Sequence, residues 1–184
     1  FQVILFTGKC ADDEPDYLFE VAQDIPAVRI DSLGRSVSLF SDIQSFFRML
    51  KLIREFKPHI IHTHTAKAGV LGRIASLIAY PRARRIHTFH GHLLYGYFGG
   101  MGSRIVALIE LFISKFTDYF IVSGQKVAEE LLKAKVIRKN GFTCVTPGLP
   151  GRDYPSRKNS REEFDLNEID FIEETFIRGF ILTA

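Results

Sequence analysis

Short β-rich runs alternate with helical patterns along most of this chain, and that alternation limits its fold more than any other feature. Strand-like runs lie at Val3 to Thr7, Ala27 to Ile30, His59 to His62, Arg84 to Thr88, Tyr119 to Val122 and Phe142 to Val145. Helical patterns fill the intervals. A short one runs through Ala22, after the break at Asp12 to Asp16. A longer one opens at Ser41, with Gln44 three residues on as a capping box, and ends at Lys57-Pro58. Ile43, Phe46, Phe47, Leu50 and Ile53 recur along it at helical spacing. Gly69 to Ala79, Ser103 to Phe116 and Lys126 to Ala134 complete the set. Strands separated by helices pair in parallel, because a parallel pair needs a long crossover. The expected fold is therefore α/β: a Rossmann-like parallel sheet with flanking helices.

Composition narrows the class. At 184 residues the chain can bury one full core. With 46% hydrophobic and 24% charged residues it is neither disordered nor fibrous. Charge interrupts every apolar run before the roughly 20 residues a transmembrane helix needs. Cys10 and Cys144 are too far apart in sequence to read as a disulfide framework, which favours a reducing, cytoplasmic setting. A net charge of +3 is too mild to argue for nucleic acid. Arg82, Arg84 and Arg85 read first as a solvated loop, and second as a contact for an anionic membrane or a phosphate. The helix from Ser103 carries Ile105, Leu108, Ile109, Phe112 and Phe116 on one stripe. Core is its simplest reading, and a lipid surface the alternative. From Pro150 the character changes: Gly151 to Asn159 reads as a linker, Ser160 with Glu163 as a capping box, and Phe176 to Leu182 as an apolar strand with nothing after it to cover it.

All six histidines lie between His59 and His92. His62-Thr63-His64-Thr65-Ala66-Lys67-Ala68-Gly69 spans a strand end and a helix start, the edge where open α/β sheets bind ligands. Thr65 is placed to cap that helix, whose first N–H groups favour an anion, and Lys67 adds a point charge suited to phosphate. His87-Thr88-Phe89-His90-Gly91-His92 ends the next strand, with Gly91 allowing close backbone approach to a ligand. The simpler alternative is that His62 and His64 alternate across the strand, one packed and one at the rim. Zinc is the rival use of so many imidazoles. The helical H-E-x-x-H pattern is absent and no cysteine or carboxylate is near in sequence, which makes zinc the minor reading.

Taken together these strings resemble the family-4 retaining glycosyltransferases of the GT-B fold, most closely bacterial members that extend surface-polysaccharide glycans. Lys57 through Arg73 is similar to the family segment KPDIVHTHTSKAGVLGR, and His87 to His92 with Tyr97-Phe98 to HTFHGHVFHGYF. Ile109-Glu110, Thr117-Asp118, Ile121-Val122-Ser123 and Val145 to Leu149 follow further family stretches. His59 stands where the family usually has Asp, and Gly124 where it usually has Glu.

The resemblance implies the N-terminal half of a GT-B fold. Residues 1–149 would be a partial acceptor domain lacking its first strand, glycine-rich loop and first helix. Residues 150–175 would be a linker with a short helix, and 176–184 the opening strand of the donor domain. Gly179-Phe180-Ile181-Leu182-Thr183 lacks the arginine of the family's GFIGRLT. The implied reaction moves a hexosyl group from a nucleotide-diphosphate-sugar to a lipid-linked or other glycan acceptor, with retention. No metal and no cofactor would be needed, and the fragment alone would be inactive. His90 would be the catalytic residue. His64, Thr65, Lys67, Gly69 and His92 would bind acceptor, and Gly91 donor. The setting would be cytoplasmic, with peripheral contact at the inner face of the plasma membrane and no nucleic-acid partner. Two other functions fit parts of the pattern: a non-catalytic glycolipid- or membrane-docking module, and another GT-B enzyme such as a nucleotide-sugar epimerase.

Overall fold

A computed structural model of the chain describes residues 2–10, 16, 18, 26–34, 36–91 and 100–146. The expected helix through Ala22 (apart from Leu18), the glycine-rich loop and everything from Pro147 onward lie outside those residues. Within them the order is β1 (Leu5–Thr7), β2 (Ala27–Arg29), α1 (Leu39–Phe56), β3 (Ile60–His64), α2 (Ala66–Ala79), β4 (Arg84–Phe89), α3 (Gly100–Ile113), a 3-10 turn (Ser114–Phe116), β5 (Tyr119–Val122), α4 (Gln125–Lys133) and β6 (Phe142–Cys144). Every strand pairing is parallel. β1 pairs with β2, and β3, β4, β5 and β6 form a four-stranded sheet in sequential order. The Rossmann-like expectation holds.

Two apolar cores glue helices to strands. Ile30 and Leu33 meet Met49, Leu50, Leu52 and Ile53 of α1 and Ala75 of α2, with Phe6, Val28 and Ile61 packed against them. Both sheets therefore share this core. Phe89, Phe120 and Val122 form the second core with Val127, Ala128 and Leu131 of α4 and the following Val136 and Ile137.

The ends of α1 correct the expected start at Ser41. The N-cap is Ser38, whose backbone N–H donates to Asp42 Oδ2 at 3.1 Å. A carboxylate in the first turn also suits the helix dipole. At the other end Lys57 takes a left-handed φ of 50° and donates its N–H to Ile53 O, and Pro58 prevents continuation. Helix α2 lies close on the sheet because its glycines leave room. A Cβ on Gly69 would sit 2.4 Å from His87 Cε1, and one on Gly72 would sit 3.0 Å from Thr63 Cγ2.

Helix α3 overturns the core reading of its stripe. It begins at Gly100, so Ser103 lies inside the helix rather than capping it. Ile105, Leu108, Ile109, Phe112 and Phe116 are 40% to 65% exposed. The inward face carries Ile113 and Glu110 instead. Glu110 is fully buried and accepts both carboxylate bonds from Arg73 Nη2 at 2.7 Å. Arg73 also donates from Nε to Gly69 O at 2.9 Å. Burial raises the Glu110 carboxyl above its ordinary value, with the Arg73 guanidinium opposing that shift. The ion pair fixes which side of α3 faces α2, because either charge alone in that setting would be costly.

Candidate functional site

The strings His62–Thr65 and His87–Gly91 come together at the carboxyl edge of adjacent strands, as their spacing implied. β3 runs two residues further than expected, so His62 and His64 both stand on it, in register with Ile86 and Thr88 of β4. Strand pleating then sorts the side chains onto two faces.

On the face under α2, Thr63 Oγ1 lies 2.8 Å from His87 Nδ1 and donates to Ile86 O at 3.3 Å. With that donor used, the threonine oxygen accepts Nδ1–H of His87. His87 Nε2 is left as a bare lone pair, buried and without a hydrogen-bond partner. Burial, then Arg73, then His64 and His62 hold the His87 imidazole down to about 2. His87 is thus a neutral packing residue.

On the opposite face stands a row of three imidazoles, and it corrects the expected alternation of His62 and His64: two residues apart on one strand, they share a face and are both exposed. The His62 and His64 ring centroids are 4.4 Å apart, and those of His64 and His90 are 5.1 Å apart with near-parallel planes. His64 Nδ1 and His90 Nε2 are 2.8 Å apart, so one ring donates to the other. His62 Nε2 lies 2.7 Å from Thr88 Oγ1. Burial, followed by the neighbouring His62 and His90, lowers His64 to about 4, and burial then His90 lowers His62. At neutral pH both rings are uncharged. They offer N–H donors and lone pairs, a surface suited to hydroxyl groups rather than to a bare anion. Among the described residues no three His, Cys, Asp or Glu side chains are arranged to hold a metal.

The remaining expected residues are distributed differently. Thr65 sits at the N-cap of α2, but its hydroxyl makes no cap bond. Its φ of 58° with ψ of 162° is a conformation that a β-branched residue rarely adopts, and in it the helix start is left uncapped by the side chain. Lys67 does not project freely: Nζ donates to Asp42 Oδ1 at 2.7 Å and to Ser36 O at 2.6 Å, tying the start of α2 to the start of α1. One of its three ammonium protons has no partner among the described residues. Gly69 lies under the His87 ring, where its role is packing. Gly91 has open space around it. His92 lies outside the described residues. Arg84 and Arg85 belong to β4 rather than to a loop. Arg84 bonds Asp118 Oδ1, and Arg85 donates to Phe116 O. The sequence reading missed Asp42, Ser36 and the Arg73–Glu110 pair. A lone charge in the middle of each of two apolar helices was the available signal for that pair.

A model of Glycosyltransferase Family 4 matches residues 1–171. The chain belongs to that family. It is 32% identical over 142 residues to the Escherichia coli UDP-Gal:alpha-D-GlcNAc-diphosphoundecaprenol alpha-1,3-galactosyltransferase, covering 76% of this chain and 36% of the relative. It is 32% identical over 163 residues to the Staphylococcus aureus capsular polysaccharide biosynthesis glycosyltransferase CapM, covering 88% and 41%. The chain thus spans little more than a third to two-fifths of the length of these relatives. Among solved structures, a glycosyltransferase from Rickettsia africae ESF-5 superposes with a TM-score of 0.54 at 15% identity, covering 90% of this chain and 42% of that one. A UDP-N-acetylglucosamine 2-epimerase also reaches 0.54, at 13% identity over 70% of this chain and 35% of that one. At such identities both likenesses speak for the fold alone. Among the described residues no helix is long and apolar enough to cross a membrane.

Proposed function

We propose that this family-4 chain supplies the acceptor side of an enzyme that transfers a hexosyl group, with retention, from a nucleotide-diphosphate-sugar to a lipid-linked glycan. Residues 1–149 form the acceptor domain in this reading, 150–175 a linker and 176–184 the first strand of the donor domain. The site faces the cytoplasm at the inner surface of the plasma membrane. The observation that carries the reading is the imidazole row His62–His64–His90 at the carboxyl edge of β3 and β4. The printed names of the two curated relatives support the substrate class: one acts on a diphosphoundecaprenol-linked sugar, and the other serves capsular polysaccharide synthesis.

His90, at the end of the row, orients the transferred sugar or the acceptor hydroxyl, and His64 holds the His90 ring through their shared bond. Gly91 lets the donor approach the backbone, and His92 binds acceptor. The third Lys67 proton, without a partner among the described residues, and the first N–H groups of α2, behind Thr65, meet an acceptor phosphate. These residues contribute by positioning two reactants, and a cleft of fixed dipoles and basic groups stabilises the departing diphosphate.

The test is a transfer assay on the full reading frame that encodes these residues. UDP-, GDP- and dTDP-hexoses are offered with an undecaprenyl-diphosphate-linked N-acetylglucosamine. A glycosylated lipid product with retained anomeric configuration is expected. Absence of product with every donor, or an inverted product, contradicts the proposal.

A further inference from the structure

The first two turns of α1 place large apolar side chains in solvent beside the acceptor rim. Val37, Leu39 and Phe40 are about four-fifths exposed, Ile43 is 49% exposed and Phe47 63%. The link to the rim is direct. Ser36 and Asp42 on this segment are the two partners of Lys67, the first-turn lysine of α2. Further along the same outward face the chemistry changes. Phe40, Phe47, Lys51 and Arg54 follow one another at offsets of 7, 11 and 14 residues, which superpose on a helix. Arg48, Lys51, Arg54 and Lys57 are exposed there, against a single exposed acid, Glu55, which sits 3.8 Å from Lys51. The other acid of α1, Asp42, is already neutralised by Lys67. An apolar tip backed by a basic stem complements an anionic bilayer, in which the apolar part enters the acyl boundary and the cations stay among headgroups.

From this geometry we infer that the α1 tip, Val37 to Phe47, docks on the anionic bilayer that carries the acceptor. The inference rests on the reading of the acceptor as lipid-linked. The exposed stripe of α3 is less suited to that task. The basic residues at its C-terminal end, Lys115 in the 3-10 turn with Arg84 and Arg85, stand before β5 and at the start of β4, and so at the opposite edge of the sheet from His64 and His90. Docking through α1 instead holds the rim against the surface from which the acceptor phosphate emerges.

Flotation with vesicles of phosphatidylcholine, with and without phosphatidylglycerol, tests it without donor or acceptor. The wild-type chain floats with the phosphatidylglycerol vesicles at low salt. Leu39→Ser/Phe40→Ser keeps its circular dichroism and loses partitioning by about thirtyfold or more. Lys51→Glu/Arg54→Glu loses about tenfold or more on phosphatidylglycerol vesicles and nothing on pure phosphatidylcholine. Failure of the wild type to float, or flotation of the Leu39→Ser/Phe40→Ser protein like wild type, overturns the inference. So does a dimer by light scattering that this substitution abolishes, since a second copy would then cover the tip. Because flotation needs no sugar chemistry, its failure leaves the transfer assay to stand or fall separately.

Discussion

On the face of β3 and β4 turned toward α2, Thr63 and His87 meet at 2.8 Å and are buried; on the opposite face His62, His64 and His90 form a row open to solvent at its end. The two faces draw on the same two strings of histidine and threonine. The first is closed by Gly69, by Arg73 and by the ion pair to Glu110, so its histidine is a neutral space-filler. Among the described residues the second is backed by its own stacked rings and by Thr88, and each ring keeps its other nitrogen without a partner there. A motif quoted as one string thus splits into a structural half and a chemical half, one residue apart. Substitutions on the covered face are expected to act on stability, and those on the rim on transfer.

The largest effect belongs to the covered face. Arg73→Met alone leaves Glu110 buried without its partner and is expected to cost about 3–5 kcal/mol of unfolding free energy. Adding Glu110→Leu is expected to restore most of that loss, read by urea denaturation. A single variant that unfolds like wild type would remove the ion pair from the account. Next comes Gly69→Ala, which drives a methyl into the His87 ring and is expected to cost about 1–3 kcal/mol.

A smaller effect is the pH dependence of stability. His64 and His87 both titrate below the ordinary histidine value, near 4 and near 2, so the unfolded chain takes up protons that the folded chain refuses. Their contribution is fully present above the unfolded value of about 6.5 and is lost as the pH falls, through 4 for His64 and toward 2 for His87. Thermal melts are expected to fall steadily from about pH 7 to about pH 5, and His87→Asn should flatten that slope while lowering stability overall. An unchanged slope would mean that His87 is not held neutral by burial. The smallest stability effect is expected on the rim, where His90→Ala should stay within about 0.5 kcal/mol of wild type.

Much of this division was legible in the chain, and its limits have physical causes. β5 came out residue for residue at Tyr119 to Val122, because its β-rich run is bounded by local signals on both sides. The carboxyl-edge placement of both histidine strings followed from the alternation of strand and helix alone. Of three misses, one turned on a local contact and two on partners distant in sequence. The cap of α1 moved to Ser38 because Asp42 reaches back to it. Lys67 looked like a free cation because Asp42 and Ser36 lie 25 and 31 residues away. The α3 stripe looked like core because periodicity marks a face without saying which side of the helix meets the protein. The Arg73–Glu110 pair decided that, and it joins residues 37 apart.

The central claim is that the rim carries function and the covered face carries the fold. The most direct test measures the melting temperature and the sugar-transfer rate together for His90→Ala in the full reading frame. The account predicts a melting temperature indistinguishable from wild type and a transfer rate lower by about a hundredfold or more. Wild-type transfer by His90→Ala, or a loss of activity that only tracks unfolding, would contradict it.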